Sequence, residues 1–486
     1  MAQSPTSFTD EIGIAIANLA DAAAETVSTP TLRLGVTGLS RAGKTIFITA
    51  LVHNLLTGGR LPGFPPMAEG RLIGAQLAEH PDRSIPRFAY ETHLDALTAD
   101  PPIWPESTRR ISQLRVTIRF QSGRWLKKQF GPSTLNLDIV DYPGEWLLDL
   151  PLLTKSYREW SAETLELAAR PARVEEAASF LDRVAETDFA AEATDRAAEA
   201  LAEAFTRYLR ASKDDRRALS TLPPGRFLMP GDLEGSPALT FAPLPEPAEK
   251  ASGRSLYAMM ERRYQAYKDI VVRPFFRDHF VRLDRQVVLV DALRALNAGP
   301  EAVADLENAL TAVLACFRQG ASSPIGRLFT RKIDRILFAA TKADHVHHTA
   351  HGRLEAILNR LVADAARRAR FSGTETRSLA IAAIRATREG EIREGGEVLP
   401  TIIGTPEAGE TLGDTTYDGK TEIALFPGDL PENPETLFSS PETTPDLRFL
   451  RFVPPTGLAR TEAGDPILPH IRFDRALDYM LGDWMA

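Results

Sequence analysis

The segment Gly38-Leu39-Ser40-Arg41-Ala42-Gly43-Lys44-Thr45 combines residue types that could hold a chain of phosphates. It matches the pattern G-x-x-x-x-G-K-[ST], with an apolar run before it and helical periodicity after it. The two glycines allow a tight turn whose N–H groups face an anion, and the helix adds the positive end of its dipole. Lys44 is expected to reach the β- and γ-phosphates, and the Thr45 hydroxyl to ligate Mg²⁺. The segment therefore predicts a nucleoside triphosphate site contacted by Gly38, Leu39, Ser40, Arg41, Ala42, Gly43, Lys44, Thr45 and Ile46.

Asp141-Tyr142-Pro143-Gly144 follows an apolar run and forms a second candidate element on the phosphate side. Asp141 is expected to hold Mg²⁺, directly or through water, and the Gly144 N–H to meet the γ-phosphate. Asp and Gly occur in many turns, but the position after a buried strand and downstream of a phosphate loop makes this pattern informative. Thr108 is a candidate for a first mobile segment that senses Mg²⁺ and the γ-phosphate. A helix-capping or turn role for Thr108 fits the sequence equally well.

Thr341-Lys342-Ala343-Asp344 follows another apolar run and indicates which base is bound. A carboxylate at a strand end can accept both N1–H and the exocyclic amino group of guanine, whereas adenine offers no such pair of donors. The Lys342 stem can lie across the base. The tetrapeptide resembles the Asn/Thr-Lys-x-Asp box of Ras-like GTPases, and Ala383, Ile384 and Arg385 stand where their last backbone contact with the base falls. The alternative is an ordinary polar strand end, so GTP is favoured and ATP stays an alternative.

These motifs need a scaffold, and the apolar runs between them predict one. Strands are predicted at Gln286–Asp291, Arg335–Ala340 and Ser378–Arg385, and helices at Ile46–Leu56, Pro300–Phe317 and Leu354–Ala369. Alternation of apolar strands with helices predicts an α/β fold with a mostly parallel sheet covered on both faces. Ligands of such sheets bind at the carboxyl ends of the strands, where all of these motifs fall.

Changes in composition predict further units around this domain. Helical spacing at Arg173–Val184, Asp195–Arg210 and Ser255–Val271, the last ending before Pro274, predicts a large α-helical insertion. Short β-like runs at Val398–Ile403 and Thr421–Phe426 predict a small β-rich C-terminal appendage, followed by a closing helix at Phe473–Trp484. By contrast, Leu61–Pro105 has little periodicity and precedes a strand within Ile111–Phe120.

The predicted boundaries divide the chain into five segments. An amphipathic N-terminal helix occupies 1–30, with its periodic part at Phe8–Val27. The Ras-like P-loop NTPase domain takes 31–146 and 286–388, the helical insertion 147–285, and the appendage with its closing helix 389–486.

The balance of 57 basic and 65 acidic side chains gives a net charge of −8, which argues against nucleic acid as the main partner. The single cysteine, Cys316, cannot form an internal disulfide and favours a reducing cytoplasm. Acidic residues precede the first basic residue, Arg33, so no signal peptide is expected. No apolar run approaches the length of a transmembrane segment, while peripheral membrane contact is left open.

The order of features from Leu32 to Trp484 resembles the YcjX-like family of bacterial stress-associated P-loop GTPases. The residues that carry this resemblance are GLSRAGKT, DYPGEW around Asp141, VDALRALNAGPEA from Val290, ATKADHVHH from Ala340, and the terminal DRALDYMLGDW. The resemblance implies a Ras-like domain with a helical insertion, GTP binding and hydrolysis, and a role in stress responses. It does not identify a client protein.

Glu145 departs from the Ras-like pattern, in which a water-orienting glutamine follows D-x-x-G. A carboxylate could act as a base or orient water, but it adds negative charge near a triphosphate unless Mg²⁺ or a cation offsets it. Slow intrinsic turnover is therefore expected, with Lys44, Thr108 and Glu145 as candidate catalytic residues. Arg41 could supply charge within the chain, but a solvated or acid-paired side chain is the better interpretation.

The histidine-rich stretch after Asp344 offers a further metal-binding alternative. His347 and His351 could share a helix face as ligands, but no carboxylate or thiol in the same turn completes a site, so a polar surface loop is preferred. The metal ligands expected from the phosphate-side motifs remain Thr45, Asp141 and Thr108.

Together the motifs predict a Mg²⁺-dependent GTPase that acts as a cytoplasmic switch, with an unknown protein partner on the insertion or the appendage. Two other functions stay open. An ATPase with mechanical or chaperone-like work would prefer ATP and take an arginine from a neighbouring chain. A scaffold stabilised by nucleotide would bind tightly and turn over negligibly.

Overall fold

The structure is a computed structural model. It describes residues 29–39, 41–79, 82–106, 110–124, 131–213, 217–248, 252–280, 282–316, 333–371, 373–394, 397–439 and 447–486. The predicted N-terminal helix at Phe8–Val27, together with Ser40 and Thr108, lies outside these ranges.

Seven strands form the central sheet within the described residues. They are β1 (Thr31–Gly38), β2 (Leu72–Ala78), β3 (Ser112–Phe120), β4 (Ser133–Asp141), β5 (Arg285–Val290), β6 (Arg335–Ala340) and β7 (Glu375–Ala380). Their order is β2-β3-β4-β1-β5-β6-β7. The β2-β3 and β3-β4 pairs are antiparallel, whereas the strands from β4 to β7 pair in parallel. Strands β1, β5, β6 and β7 consequently end at one edge of the sheet, where the sequence motifs lie.

The α-helices surround this sheet. They are α1 (Lys44–Thr57), α2 (Pro65–Ala68), α3 (Tyr90–Thr98), α4 (Tyr157–Ala168), α5 (Val174–Glu186), α6 (Asp195–Ser212), α7 (Gly225–Leu228), α8 (Leu256–Tyr267), α9 (Arg273–Phe275), α10 (Ala292–Ala298), α11 (Pro300–Cys316), α12 (His351–Leu361), α13 (Ala363–Phe371), α14 (Thr436–Ser439) and α15 (Phe473–Leu481). A 3₁₀ segment, Gly144–Thr154, follows β4 directly. None of the described helices is long and apolar enough to span a bilayer.

Alternation along the strands divides the core into two clusters, because successive side chains point to opposite faces. In β5, Val288 and Val290 pack with the helices between β4 and β5, including the fully buried Trp160. Val287 and Leu289 pack with α1 and α15 on the opposite face. The helices inserted after β4 thus share a continuous apolar core with one face of the sheet.

The last helix closes the opposite face of the sheet. Phe473 of α15 meets Phe47 of α1 edge to face, with 5.1 Å between ring centroids. The Asp474 carboxylate accepts a hydrogen bond from the Gly63 N–H at 2.7 Å. At the other end of α15, Arg285 at the start of β5 donates to the Met480 carbonyl and to the Asp483 carboxylate. The closing helix is therefore attached to α1, to the segment after α1 and to the start of β5.

A small antiparallel sheet lies after β7. It contains β8 (Arg388–Glu394), β9 (Glu397–Gly404) and β12 (Ile423–Leu425), with β10 (Thr411–Leu412) and β11 (Thr415–Thr416) as a separate hairpin. Ile402, Leu425, Leu450 and Phe452 form its apolar core. The α/β fold class, with a mostly parallel sheet, a helical insertion and a β-rich C-terminal part, is confirmed.

The predicted helix end before Pro274 is wrong. The helix continues from Leu256 to Phe280, with π-helical turns at Lys268–Val272 and Phe276–Phe280 on either side of α9. A π turn shifts the hydrogen-bonding frame, so Pro274 sits near the start of a new turn, where its missing N–H costs little.

Other predicted boundaries also need correction. Leu61–Pro105 contains α2, β2 and α3, although it showed little periodicity. Strand β2 is a half-exposed edge strand, which explains its lack of an apolar repeat. The apolar stretch Ser378–Arg385 is strand only as far as Ala380, because the residues after Ala380 leave the sheet to line a cavity. Leu354–Ala369 forms two consecutive helices, α12 and α13.

Candidate nucleotide-binding site

The loop between β1 and α1 has the backbone geometry that an anion site requires. Gly43 has φ +83°, a left-handed conformation that suits glycine, and it stands at the N-terminal end of α1. Arg41 is also left-handed, with φ +61°. The first turn of α1 contains no acidic residue and no side-chain cap. Its N-terminal N–H groups are therefore suited to an anionic ligand.

Lys44 folds back onto the loop that precedes it. Its Nζ donates a hydrogen bond to the Gly38 carbonyl at 2.9 Å, and the side chain is buried. Burial lowers the pKa of Lys44 from its ordinary value, while the nearby Glu145 and Asp141 carboxylates act in the opposite direction. Both carboxylates, which were predicted from the sequence to lie near the phosphates, thus act on the charge of Lys44.

Gly144 brings the end of β4 against the same loop. A Cβ at this position would lie 1.9 Å from the Gly38 carbonyl oxygen. Only a glycine allows this approach without displacing the backbone. Asp141 ends β4, is 1% exposed, and pairs in register with Val36 of β1. The D-x-x-G turn and the phosphate loop are therefore in direct contact.

Glu145 is buried and paired with a lysine that the sequence did not single out. Lys213, at the end of α6, donates from Nζ to Glu145 Oε1 at 2.5 Å. Burial opposes ionisation of Glu145, but the Lys213 and Lys44 charges outweigh it and hold the pKa of this carboxyl below its usual value. Glu145 is therefore ionised at neutral pH.

Residues of the helical insertion form hydrogen bonds with the 3₁₀ segment Gly144–Thr154. Asp149 accepts hydrogen bonds from the Gly225 N–H and the Tyr267 hydroxyl, both at 2.7 Å. Trp146 donates from Nε1 to the Met229 carbonyl at 2.8 Å, and the Arg226 guanidinium lies 3.1 Å from the centre of its ring system. Movement of this segment would therefore disturb buried contacts with the insertion.

Asp344, the last residue of the Thr341–Asp344 segment, is buried and hydrogen-bonded. Its Oδ2 accepts the Ala386 N–H at 2.8 Å, and its carbonyl accepts the Thr387 hydroxyl. Lys342 has φ +60° and donates to Asp291 Oδ2 at 2.5 Å. These contacts fix the Asp344 carboxylate against the loop after β7.

A cavity of about 270 Å³ collects most of the predicted contacts. Its lining includes Arg41, Gly43, Lys44, Thr45, Ile46, Thr341, Lys342, Asp344, Ala383 and Ile384. Arg385 is not part of this lining and instead donates from Nε to the Thr387 carbonyl. Gly38, Leu39, Ala42, Asp141, Gly144 and Glu145 also lie outside the lining, on the side of the loop that Gly144 contacts.

The rest of the cavity wall was not predicted from the sequence. It consists of Trp104, Pro105, Glu407, Arg451 and Phe452, together with Phe47, His345, Ile381, Ala382 and Ala386. Trp104 donates from Nε1 to the Phe452 carbonyl at 2.7 Å, and His345 meets the Phe452 ring edge-on. Trp104, Arg451 and Phe452 belong to no local motif, so only the folded chain reveals their place beside the phosphate loop.

The alternative metal pair His347 and His351 is wrong. His351 is buried and donates from Nε2 to the Ala343 carbonyl at 2.8 Å, away from His347. His347 instead lies beside His348 and Glu389, with one possible ligand atom from each within 4.8 Å of the others. His348 Nδ1 and Glu389 Oε2 are already hydrogen-bonded to each other at 2.9 Å.

The loop, the two strand-end motifs and the sheet order define a Ras-like P-loop protein of the α/β class. The chain belongs to the YcjX-like family (DUF463), whose model matches residues 32–485. It is 39% identical over 464 residues to the Ras-like GTPase YcjX of Escherichia coli, covering 93% of this chain and 95% of that protein. It is 37% identical over 472 residues to the Ras-like GTPase YcjX of Shewanella oneidensis, covering 93% and 94%. The family resemblance drawn from the sequence is confirmed.

Gly144→Ala is expected to weaken binding of a fluorescent GTP analogue at least tenfold, about 1.4 kcal/mol. The added methyl group would overlap the Gly38 carbonyl and force the D-x-x-G turn away from the loop. Gly352→Ala is the matched control, because a Cβ at Gly352 meets nothing within 4 Å. Equal affinities for the two variants in a direct titration would contradict this close contact.

Asp149→Asn is expected to reduce the change of the free energy of unfolding with pH. Burial raises the pKa of Asp149 to about 6 from its ordinary 3.8, against the opposing hydrogen bonds from Tyr267 and Gly225. The folded state then binds more protons than the unfolded state between about pH 4 and 6, so the contribution of Asp149 to the free energy of unfolding falls as the pH rises through this window. Urea unfolding of the wild type, Asp149→Asn and the exposed control Asp95→Asn measures this slope. A wild-type slope retained in Asp149→Asn would refute the assignment.

Proposed function

We propose that this chain binds and hydrolyses GTP with Mg²⁺ and acts as a nucleotide-controlled switch. The observation that carries the proposal is one cavity lined both by the phosphate loop and by the Thr341–Asp344 segment. The names of the two relatives, both Ras-like GTPases, support the same activity. Lys44 and the N–H groups at the start of α1 would hold the phosphates.

The choice of guanine rests on Asp344. Its Oδ2 already accepts the Ala386 N–H, which orients the carboxylate beside Ala383 and Ile384 in the cavity wall. The paired donors of guanine suit a fixed carboxylate, whereas adenine would leave it unmatched. Trp104 and Phe452 add aromatic surface for the base.

The Mg²⁺ ion is assigned to the Thr45 hydroxyl and the Asp141 carboxylate, with Thr108 as a further candidate. Hydroxyl and carboxylate oxygens are the hard ligands that Mg²⁺ prefers. Asp141 acts electrostatically on Lys44, which directly precedes Thr45, so the donor set fits this ion. When bound, Mg²⁺ neutralises charge on the β- and γ-phosphates.

The proposed organisation keeps the predicted boundaries: a nucleotide domain at 31–146 and 286–388, an insertion at 147–285 and an appendage at 389–486. Met229 and Gly225 of the insertion make buried contacts with Trp146 and Asp149, which directly follow the D-x-x-G turn, and these contacts support a role of the insertion in sensing that turn. A partner would then bind the insertion or the appendage. Cytoplasmic location and slow intrinsic hydrolysis belong to the proposal, and the link to stress responses comes from the family resemblance alone.

The wild type is expected to bind GTP at least tenfold more tightly than ATP, a difference of about 1.4 kcal/mol. Asp344→Asn is expected to abolish this preference. Fluorescent GTP and ATP analogues are titrated against both proteins with Mg²⁺, and Asp364→Asn, an exposed carboxylate on α13, serves as the control. Asparagine presents an amide donor, so xanthosine triphosphate, with a carbonyl in place of the amino group, should bind the variant better than GTP does.

Equal binding of ATP and GTP by the wild type, unchanged in Asp344→Asn, would make Thr341–Asp344 an ordinary strand end. The ATPase function would then replace the GTPase function. Tight GTP binding without turnover would favour the scaffold.

The switch component predicts nucleotide-dependent hydrogen exchange in the insertion. Exchange in Gly144–Thr154 should slow on binding of a non-hydrolysable GTP analogue relative to GDP, together with exchange in 217–230 and 256–280, which contact this segment. Helix α13, which follows β6 in the chain, is the internal reference. Changes confined to the phosphate loop would show that the insertion does not respond.

A further inference from the structure

Glu145 creates an electrostatic problem for a GTPase. It directly follows Gly144, whose backbone touches the Gly38 carbonyl, so its carboxylate is held next to the phosphate loop. A buried anion there would repel the γ-phosphate and the charge that develops on it during hydrolysis. A cation must offset this charge if Glu145 is to be tolerated.

The insertion supplies that cation. Lys213 Nζ lies 2.5 Å from Glu145 Oε1, and the lysine side chain is only 25% exposed. Lys213 directly follows α6, where the helix dipole favours a positive charge. Its carbonyl accepts a hydrogen bond from Arg294 Nη2 at 3.0 Å, which attaches the end of α6 to the nucleotide domain. The lysine is therefore held from both its backbone and its side chain.

Lys213 also lies near the phosphate loop, because its partner Glu145 directly follows Gly144, whose backbone contacts the Gly38 carbonyl. Glu145 is influenced by the charges of both Lys213 and Lys44, and the two lysines act on each other. Lys44 binds the Gly38 carbonyl, the same oxygen that Gly144 contacts. An ammonium group has three donors, so Lys213 can keep Glu145 and still donate to phosphate oxygens.

We propose that Lys213 is a catalytic cation supplied by the insertion of the same chain, and that Glu145 positions its ammonium group beside the γ-phosphoryl group. This inference rests on the proposed GTP hydrolysis. In that reaction the oxygen of water bonds to the γ-phosphorus, and the bond from this phosphorus to the β–γ bridging oxygen breaks. GDP leaves with the electron pair, and the protons of water pass to the phosphate product and to solvent. Lys213 stabilises the negative charge on the transferring group and is itself unchanged.

The proposal also gives the insertion a direct chemical role. A shift of α6 relative to the 3₁₀ segment would withdraw Lys213 from the phosphate loop. A partner that binds the insertion could then set the rate of hydrolysis without touching the nucleotide.

The test is single-turnover hydrolysis of GTP by the full chain with Mg²⁺. Lys213→Met removes the charge and keeps the length of the side chain, Lys213→Arg restores a cation, and Lys155→Met removes a lysine that pairs with Glu163 on the surface. Lys213→Met is expected to lower the rate constant of hydrolysis about 100-fold or more, because a cation stabilises the charge on a transferring phosphoryl group. The dissociation constant for GDP should change less than threefold. Lys213→Arg should recover at least part of the rate, and Lys155→Met should match the wild type.

A second readout separates catalysis from folding. Wild type and Lys155→Met should bind GDP together with aluminium fluoride, which mimics the transferring phosphoryl group. Lys213→Met should bind GDP but should not retain aluminium fluoride. The double variant Lys213→Met/Glu145→Gln should be no slower than Lys213→Met, because Glu145 acts through the lysine.

Three outcomes would overturn the proposal. An unchanged rate in Lys213→Met, with an active wild type, removes Lys213 from the reaction and leaves the GTPase function intact. Equal losses of GDP affinity and rate would show a structural role only. A wild type that binds GTP without hydrolysing it would refute the proposed function and this inference together.

Discussion

The carbonyl of Gly38 is the point on which the phosphate side of the site depends. Lys44 donates to it from one side, and the Gly144 backbone approaches it so closely that no side chain fits between them. This contact joins the end of β4 to the loop after β1. Because the 3₁₀ segment begins at Gly144, the contact also sets where Glu145, Trp146 and Asp149 meet the insertion.

The insertion is built into the core of the nucleotide domain. The aromatic cluster around Trp160 is continuous with one face of the sheet, and the polar contacts of Asp149 and Trp146 lie at the boundary between the two. Asp149 is an unusual residue to bury, since its side chain relies on the Tyr267 hydroxyl and the Gly225 N–H, and the Arg226 charge offsets only part of the cost of burial. Because Asp149 lies within the 3₁₀ segment and its partners belong to the insertion, movement of this segment would disturb these hydrogen bonds.

The place of Gly43, Lys44 and Thr45 at the start of α1 could be predicted from the sequence, because glycine suits a left-handed turn and the apolar periodicity after it predicts a helix. The place of Asp344 just beyond a buried strand was predictable from the apolar run before it, and the structure puts it in the cavity wall. Trp104, Phe452 and Lys213 were not, because their partners lie 348 and 68 residues away along the chain and no spacing rule connects them. The continuation of the helix through Pro274 depends on π turns, which leave no signature in apolar periodicity.

The wall of the cavity draws residues from Arg41 to Phe452, so the site is complete only when most of the chain has folded. During synthesis, the phosphate loop leaves the ribosome long before the aromatic residue that covers the base end of the cavity. A ligand seated there would bind both ends of the chain at once and would stabilise the folded state as a whole. At a ligand concentration 100 times its dissociation constant, this stabilisation is about 2.7 kcal/mol. The supply of this ligand in the cell would thereby affect how long the protein survives.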